Sequence, residues 1–157
     1  MWSLETLECL RTQRGHTSTV RSLRMSGGIA VSRSQDNSIR VWDLSAEPEL
    51  ECVGVLIGHT GAIRCLEFDG HRIVSGLYNQ TVKVWDLNEL RRLPAGRGGG
   101  RPALPALARG PQRQGVLVVY DGRIICSGSL DHNVIVWGVD GTLIHTLMGH
   151  DKCTGHM

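Results

Sequence analysis

Serine, histidine and aspartate, the residue types of a hydrolase triad, occur together in this chain as Ser32, His16 and Asp36. A catalytic triad needs an exposed serine hydroxyl, an oxyanion site and a substrate pocket. Here the trio belongs to a pattern that repeats along the chain and includes Trp42, whose indole N–H can only donate and so occupies the serine oxygen. We therefore predict a structural role, no catalytic residues and no enzymatic activity.

The repeating pattern is set by Gly-His and Trp-Asp pairs. Two pairs of each kind lie 43 residues apart, with 27 residues from each glycine to its tryptophan: Gly15-His16, Gly58-His59, Trp42-Asp43 and Trp85-Asp86. Two matching spacings indicate a repeat protein.

A third unit is indicated by Trp137, because counting back 27 residues reaches Gly110. In that unit Pro111 replaces the histidine and Gly138 replaces the aspartate. Trp2 stands where a preceding unit should close, and Gly149-His150 opens another one. We therefore expect the chain to begin and end within the pattern.

Apolar and polar residues alternate with period two just before two of the tryptophans, in Ile39–Trp42 and Val82–Trp85. This pattern predicts half-buried strands. Small polar turn residues such as Asp69-Gly70 and Asp121-Gly122 separate the strands. No stretch has helical spacing over more than two turns, so we predict an all-β fold.

Units of this length with these signatures resemble the WD-repeat family, in which each unit builds the four strands of one propeller blade. The resemblance implies a buried hydrogen-bond chain in each unit, which is tolerated when every member is paired. In the second unit an asparagine weakens the charge-assisted end of that chain, and in the third the histidine is missing. The implied sets are His16, Ser32, Asp36 and Trp42, then His59, Ser75, Asn79 and Trp85, then Ser127, Asp131 and Trp137.

The predicted architecture is one partial propeller over residues 1–157, with about three blades and an orphan outer strand at Leu4–Gln13. Residues 94–114, rich in Pro, Gly and Arg, are predicted to be a disordered insertion. The insertion takes the place of the outer strand of the second blade, where we expect a missing or irregular edge. Three blades do not close a ring, which needs about four to eight, so pairing with another chain or aggregation is expected. The predicted units are about 15–57, 58–93 and 110–148.

Composition and charge argue against nucleic-acid-binding, secreted, membrane and metal-binding proteins. The net charge of +2 is too small to argue for nucleic acid. Five cysteines without paired spacing indicate reduced thiols, and no apolar run could span a bilayer, so we expect a cytoplasmic or nuclear protein without a membrane segment. His150, Cys153 and His156 lack the paired spacing of structural zinc. No metal and no cofactor is predicted.

Two arginines occupy equivalent positions in neighbouring units. Arg21 and Arg64 each follow the glycine of their Gly-His pair by six residues, near the start of the predicted innermost strand. Their guanidinium groups should face a shared space, where planar forks of donors suit a phosphate or carboxylate. A phosphorylated peptide is the natural ligand class. The alternative is that both are solvated charges on a rim.

Longer segments are similar to consecutive blades of F-box/WD-repeat proteins, the substrate receptors of SCF-type ubiquitin ligases. The similar segments are Gly15–Arg21, Ile63–Cys65, Val74–Tyr78, Val82–Asp86, Ser127–Asp131 and Leu143–Leu147. The resemblance implies capture of phosphorylated degradation motifs by the propeller face. The residues it implies are Arg21 and Arg64 on the phosphate, Ser18 and Thr19 in support, and Tyr78 beside the peptide.

The chain departs from that pattern at one arginine. Gln35 stands where an arginine is expected just before Asp36, and Arg33 is expected to point to the opposite side of the strand. No segment resembles an F-box, so the ligase core is a partner only of a longer form. We predict a protein–protein interaction module that binds phosphorylated degradation motifs. The alternatives are a general WD-repeat scaffold without phosphate readout and a nonfunctional truncated remnant.

Overall fold

The computed structural model describes residues 1–45, 51–77, 81–92, 101–102, 108–109, 117–128 and 132–148. Strands dominate these residues and form three sheets that follow one another along the chain. In chain order the elements are β1 (Val20–Ser26), β2 (Ile29–Ser34), β3 (Ile39–Asp43), β4 (Glu51–Ile57), β5 (Ile63–Phe68), β6 (Arg72–Leu77), β7 (Thr81–Asp86), α1 (Leu87–Arg92), β8 (Arg101–Pro102), β9 (Ala108–Arg109), β10 (Leu117–Tyr120), β11 (Ile124–Gly128), β12 (Val134–Gly138) and β13 (Leu143–Leu147).

Each sheet is built mainly from consecutive antiparallel strands, and we call the sheets blades one, two and three. Blade one has the order β1-β2-β3-β4-β8, blade two β5-β6-β7-β9, and blade three β10-β11-β12-β13. β8 is the exception in direction, since it pairs parallel with β4. The predicted fold class, an all-β partial propeller of three blades, is confirmed. The predicted unit boundaries themselves stay predictions.

Aspartate-glycine turns hold the first two strands of blades two and three together. The Oδ1 atom of Asp69 accepts hydrogen bonds from the backbone N–H groups of His71 and Arg72, at 2.7 and 2.6 Å. Gly70 follows at a φ of 103°, where a residue with a Cβ atom is strained. Asp121 makes the same pair of bonds one repeat later. The side chain of the aspartate therefore fixes the turn and with it the register of the strands.

The core lies between neighbouring blades. Period-two alternation places one set of side chains of each strand on one blade face and the next set on the other face. The cluster between blades one and two contains Ile29, Val31, Ile39, Val41, Leu56, Ile63, Leu66, Ile73, Leu77, Trp85, Leu87 and Leu90. The cluster between blades two and three contains Cys65, Val74, Val82, Val84, Val118, Ile125 and Trp137.

Blade two has the irregular outer edge that the insertion predicts. Its fourth strand, β9, is two residues long and pairs with Thr81 and Val82 of β7. The helix α1 follows β7 and places Leu87 and Leu90 in the cluster between blades one and two. Within the segment 94–114, residues 101–102 pair as β8 and residues 108–109 pair as β9, and the disorder predicted for this insertion stays a prediction. Residues 94–100, 103–107 and 110–114 lie outside the described residues.

The orphan strand predicted at Leu4–Gln13 is wrong. Residues 1–11 fold back on themselves, with an isolated antiparallel bridge between Trp2 and Cys9. Backbone bonds from Ser3 N to Glu8 O, 3.0 Å, and from Leu10 N to Met1 O, 2.9 Å, close this loop. The backbone N–H and C=O groups of a lone strand cost free energy when they stay unpaired. In this segment they therefore form hydrogen bonds with one another.

Candidate functional site

A chain of hydrogen bonds runs through the side chains of blade one. Trp42 Nε1 donates to Ser32 Oγ at 2.8 Å, and the same Oγ lies 2.8 Å from His16 Nε2. His16 Nδ1 lies 2.8 Å from Asp36 Oδ2. The structure therefore brings together all four residues implied for the first unit.

The direction of these bonds follows from the chemistry of the donors. The indole N–H can only donate, so the Ser32 hydroxyl accepts from Trp42 and gives its own proton to His16 Nε2. Nδ1 of the ring then carries the hydrogen that Asp36 accepts. The serine hydroxyl is buried and engaged on both sides, which removes the exposed nucleophile that a hydrolase needs. The absence of enzymatic activity stays a prediction.

Asp36 accepts hydrogen bonds from further donors at both of its carboxylate oxygens. Its Oδ1 accepts from the Ser38 hydroxyl at 2.6 Å and from the Ser38 backbone N–H at 3.0 Å, and the Thr17 N–H reaches Oδ2 at 3.0 Å. Burial raises the pKa of Asp36, but the bonds from Ser38, His16 and Thr17 outweigh burial and hold that pKa far below its ordinary value. Asp36 is thus a carboxylate at neutral pH.

Sequence reasoning missed Ser38. Its hydroxyl also lies 3.3 Å from His16 Nδ1, so it joins two members of the chain. A signal was present, because Thr81 occupies the equivalent position 43 residues later, and a hydroxyl at both positions marks a shared role.

The equivalent chain in blade two is shorter. Trp85 Nε1 donates to Ser75 Oγ at 2.8 Å, and Ser75 Oγ lies 2.7 Å from His59 Nε2. Within the described part of the chain, Nδ1 of His59 is buried without a hydrogen-bond partner. Asn79, which the repeat implies there, lies outside the described residues. Burial, aided by the positive charge of Lys83, lowers the pKa of His59 to about 3, so this ring is neutral at pH 7.

In the described part of blade three, the first link of the chain is present. Trp137 Nε1 donates to Ser127 Oγ at 2.8 Å, and both residues are buried. Asp131 lies outside the described residues. The three serine–tryptophan bonds have the same length, so this link is the constant part of the repeat.

Glycine precedes the histidine of blade one for a steric reason. A Cβ atom on Gly15 would lie 2.7 Å from Nη1 of Arg40 and 3.2 Å from Cη2 of Trp42. The glycine thus lets the backbone lie directly against the indole and brings His16 into reach of Ser32.

The arginines identified from the sequence line one cavity between blades one and two. Arg21 lies in β1 and Arg64 in β5, and both are exposed. The cavity has a volume of about 270 Å³ and is lined by Arg21, Arg33, Gln35, Ala62, Ile63 and Arg64. The two blades therefore place their equivalent arginines around a shared space.

Gln35 orients one of these arginines. With its amide oxygen turned toward Arg21, Gln35 accepts from Nη2 at 2.6 Å and from Nε at 3.3 Å. The backbone N–H of Gln35 in turn donates to Thr19 O at 3.0 Å. Gln35 therefore fixes the Arg21 fork where an arginine would have repelled it.

The sequence-based placement of Arg33 on the opposite side of the strand is wrong. Residues two apart point to the same face of a strand, and Arg33 lines the cavity together with Gln35. Its Nη1 donates to the backbone carbonyl of Ile63 in blade two. Burial lowers the pKa of Arg33, and the nearby charges of Arg64 and Arg21 lower it further. The cavity therefore holds three guanidinium groups rather than two.

Two of the other residues implied for peptide binding, Ser18 and Thr19, precede blade one. Ser18 and Thr19 are exposed just before β1, where the carbonyl of Ser18 accepts from Ser34 Oγ at 3.0 Å. Ser18 lines a different cavity, beside Val20 and Trp42. Tyr78 lies outside the described residues. The structure thus brings Arg21 and Arg64 together and does not place Ser18 in their cavity.

No group of three or more His, Cys, Asp or Glu side chains is arranged to hold a metal ion in the described ranges. The same residues contain no helix long and apolar enough to cross a membrane.

Comparison with known families accounts for the repeat. The family described as "WD domain, G-beta repeat" matches residues 7–43, 50–86 and 114–138, which is more than half of the chain. This chain belongs to the WD-repeat family, and its propeller is a protein-interaction scaffold.

Individual relatives match over shorter stretches. Mitochondrial division protein 1 of Pyricularia oryzae and its namesake in Neurospora crassa are each 38% identical to this chain over 45 residues. That stretch is 29% of this chain and 7% of each relative, so the chain matches only a small part of their length.

Two computationally designed proteins share the fold. The crystal structure of Ika4 superposes with a TM-score of 0.71 at 28% identity, covering 93% of this chain and 82% of that one. The crystal structure of Ika8 superposes with a TM-score of 0.74 at 28% identity, covering 97% of this chain and 43% of that one.

Proposed function

We propose that this WD-repeat chain binds phosphorylated segments of other proteins in the cavity between blades one and two. The observation that carries the proposal is the convergence of Arg21, Arg33 and Arg64 on one cavity of about 270 Å³. A cavity of this size admits a phosphoryl group and part of a neighbouring side chain, but not a folded domain.

The chemistry of the cavity fits phosphate better than a neutral ligand. A phosphorylated serine or threonine carries a charge of about −2 at pH 7 and three acceptor oxygens. Guanidinium groups meet such oxygens with two parallel donors each. Burial is the main cause of the lowered pKa of Arg33, and the positive charges of Arg64 and Arg21 lower it further. A bound dianion offsets the repulsion among these three charges.

The cavity is organised before any ligand arrives. Gln35 holds Arg21, and the carbonyl of Ile63 holds Arg33. Arginines that are already oriented lose less side-chain entropy on binding. The receptor pattern expects an arginine at the position of Gln35. Arg33, on the same face of the strand, supplies that third positive charge instead.

The resemblance to F-box/WD-repeat substrate receptors supports the same ligand class. Within that reading the phosphorylated segment is a degradation motif, and the ligase core joins only through an F-box in a longer form. A cytoplasmic or nuclear location suits this role and is part of the proposal. The described cysteines Cys9, Cys52, Cys65 and Cys126 are free thiols, as a reducing compartment requires.

Fluorescence polarisation with matched phosphorylated and unphosphorylated acidic peptides tests the proposal. Arg21→Ala and Arg64→Ala should each weaken binding of the phosphorylated peptide by about ten- to a hundredfold, the equivalent of one charge-assisted hydrogen-bond pair. Arg123→Ala is the matched control, because Arg123 is an exposed arginine in the turn between β10 and β11 of blade three. Binding should also weaken as salt is raised.

Equal affinity for the two peptides would contradict phosphate recognition and leave a scaffold that binds through other surfaces. Loss of binding in Arg123→Ala to the same extent as in Arg21→Ala would also contradict it, because the effect would then reflect net charge alone. An aggregated sample without a cooperative unfolding transition would favour the nonfunctional remnant.

A further inference from the structure

Each blade in this fold has two apolar faces, which point toward opposite neighbours in the array. We call the face that contacts the preceding blade the leading face, and the face that contacts the following blade the trailing face. The trailing face of blade one, with Val31, Ile39 and Val41, packs against the leading face of blade two, with Ile63 and Leu66. The same two kinds of face meet again where Val74, Val82 and Val84 contact Val118 and Ile125. The fold thus contains the same apolar interface twice.

In the described part of the chain, no blade lies against the leading face of blade one. Val20, Leu23 and Met25 are 51%, 57% and 67% exposed, whereas Ile63 and Leu66, the residues equivalent to Val20 and Leu23, are fully buried. A recess of about 560 Å³ opens on this face, with Val20, Leu23, His16 and Trp42 in its lining. Thr12, Gln13 and Arg14 of the N-terminal segment line the same recess, and Trp42 is buried. The part of this face formed by Val20, Leu23 and Met25 is the open half of the apolar interface.

The trailing face of blade three presents the other half. Leu117, Val119 and Ile124 are 52%, 56% and 37% exposed. Three further residues of this face, Cys126, Val134 and Val136, are only half-buried. Their equivalents in blade two, Val74, Val82 and Val84, are buried against blade three. The same side-chain positions that are core in blade two are thus partly open to solvent in blade three.

We propose that two copies of this chain bind each other through these faces, the leading face of blade one of each copy receiving the trailing face of blade three of the other. The two faces fit because the chain already contains the same pair of faces in contact twice. Such a head-to-tail interface closes into a ring when the rotation allows. Two copies bring together six of the described blades, within the range of about four to eight in which propeller rings close.

The curvature of the three blades is compatible with a longer array. The superposition on Ika8 covers nearly all of this chain but only 43% of that one, at a TM-score of 0.74. The rotation from blade to blade in this chain is thus one that a protein more than twice as long also uses. A second copy placed at the same rotation would continue the array, and the arginine cavity would stay open because it lies between blades one and two.

Sedimentation velocity on the full chain and on two face variants tests this inference. Leu23→Asp puts a charge on the leading face, and Val119→Asp puts one on the trailing face. Both side chains are more than half exposed in the single chain, so each variant should fold, as circular dichroism can check. The wild type should sediment as a two-copy species, and each variant as a single copy. Leu4→Asp, at an apolar and still more exposed position in the N-terminal loop, is the control and should leave the two-copy species intact.

Mixing the two variants gives the sharper result. In a head-to-tail pair, Leu23→Asp keeps an intact trailing face and Val119→Asp keeps an intact leading face, so an equimolar mixture should regain a two-copy species through one interface. A wild type that stays a single copy up to its solubility limit would overturn the inference. Failure of the mixture to associate would overturn it as well, because two like faces would then be in contact. Phosphopeptide affinity of the two single-copy variants should match the wild type, which separates this outcome from that of the proposed function.

Discussion

The hydrogen-bond chains of blades one and two start alike and end differently. In both, a tryptophan N–H and a histidine Nε2 share one serine hydroxyl at 2.7 to 2.8 Å. In blade one the histidine continues to Asp36, which is ionised and fully bonded. In blade two, among the described residues, Nδ1 of His59 has no partner, and burial lowers the pKa of His59 to about 3.

This difference shows that the final hydrogen-bond partner of the histidine determines the charges within the repeated Ser-His-Trp motif. A carboxylate with several donors makes the chain of blade one sensitive to loss of that one group. A neutral imidazole makes the chain of blade two sensitive to pH. Two blades with the same fold and the same Ser-His-Trp core should therefore lose stability under different conditions.

The largest effect should come from the end of the first chain. Asp36→Ala removes the acceptor of His16, Ser38 and Thr17 and should lower the free energy of unfolding by about 3 kcal/mol, because the buried side chains of His16 and Ser38 lose their partner. Urea unfolding followed by tryptophan fluorescence at pH 7 measures this. Glu5→Ala, an exposed acidic position in the N-terminal loop, is the control and should change stability by less than about 0.5 kcal/mol. Equal changes in the free energy of unfolding for Asp36→Ala and Glu5→Ala would show that the hydrogen bonds of Asp36 do not stabilise the fold.

Removal of the shared hydroxyl should have the same, smaller effect in both blades. Ser32→Ala and Ser75→Ala each leave an indole N–H without its acceptor, which should lower stability by about 2 kcal/mol. Substitution of Trp42 or Trp85 by phenylalanine in the serine variant should restore part of that loss, since the orphaned donor is then gone. A loss in only one of the two blades would contradict the view that this link is the constant part of the repeat.

The pH dependence separates the two chains. The folded-state pKa of His59, about 3, lies below its ordinary value of 6.5, so the unfolded chain binds a proton that the folded chain does not. Stability is then full above pH 6.5 and falls as pH decreases toward 3, by at most about 1.4 kcal/mol per pH unit. The pKa of Asp36 is lowered from 3.8, so its contribution is present above pH 3.8 and is lost only below that value.

Urea unfolding at a series of pH values measures these two windows. His59→Gln should flatten the stability curve between pH 6.5 and pH 4, whereas Asp36→Asn should leave the slope there unchanged. If His59→Gln keeps the slope of the free energy of unfolding against pH, another group causes that slope.

The smallest effect should come from the exposed ion pair between blades one and two. Arg24 Nη2 and Nε donate to the two carboxylate oxygens of Glu67 at 3.0 and 3.2 Å, and the side chains are 46% and 27% exposed. Solvent screens such a pair, so a double-mutant cycle of Arg24→Ala and Glu67→Ala should give a coupling energy of about 0.5 kcal/mol. A coupling energy between Arg24 and Glu67 larger than the effects predicted for the buried hydrogen-bond chains would contradict this order of effects.

Much of the fold could be predicted because the repeat carries it. The spacing of Gly15 and Trp42, repeated at Gly58 and Trp85, is enough to predict blades, and the alternation before each tryptophan predicts the strands β3 and β7 that contain Trp42 and Trp85. Two-residue strands such as β8 and β9 leave no periodic signal in the sequence. The N-terminal loop was mistaken for a strand because Leu4, Leu7 and Leu10 are apolar, although nothing in the sequence offered them a partner.

The candidate site was predicted in part. Equivalent repeat positions placed Arg21 and Arg64 in neighbouring blades, and the structure puts both on one cavity. Arg33 was assigned to the wrong face, although period two places it beside Gln35. The bond from Gln35 to Arg21 could not be foreseen, because it depends on side-chain orientations that no spacing encodes.

The claim on which the function depends is that arginines of two blades act together on one phosphoryl group. A double-mutant cycle on phosphopeptide affinity, with Arg21→Ala, Arg64→Ala and the double variant in isothermal titration calorimetry, tests it most directly. We predict that the double variant binds the phosphorylated peptide no better than the unphosphorylated one, with a coupling between the two arginines above about 1 kcal/mol. Unchanged discrimination between the two peptides in the double variant would contradict the account.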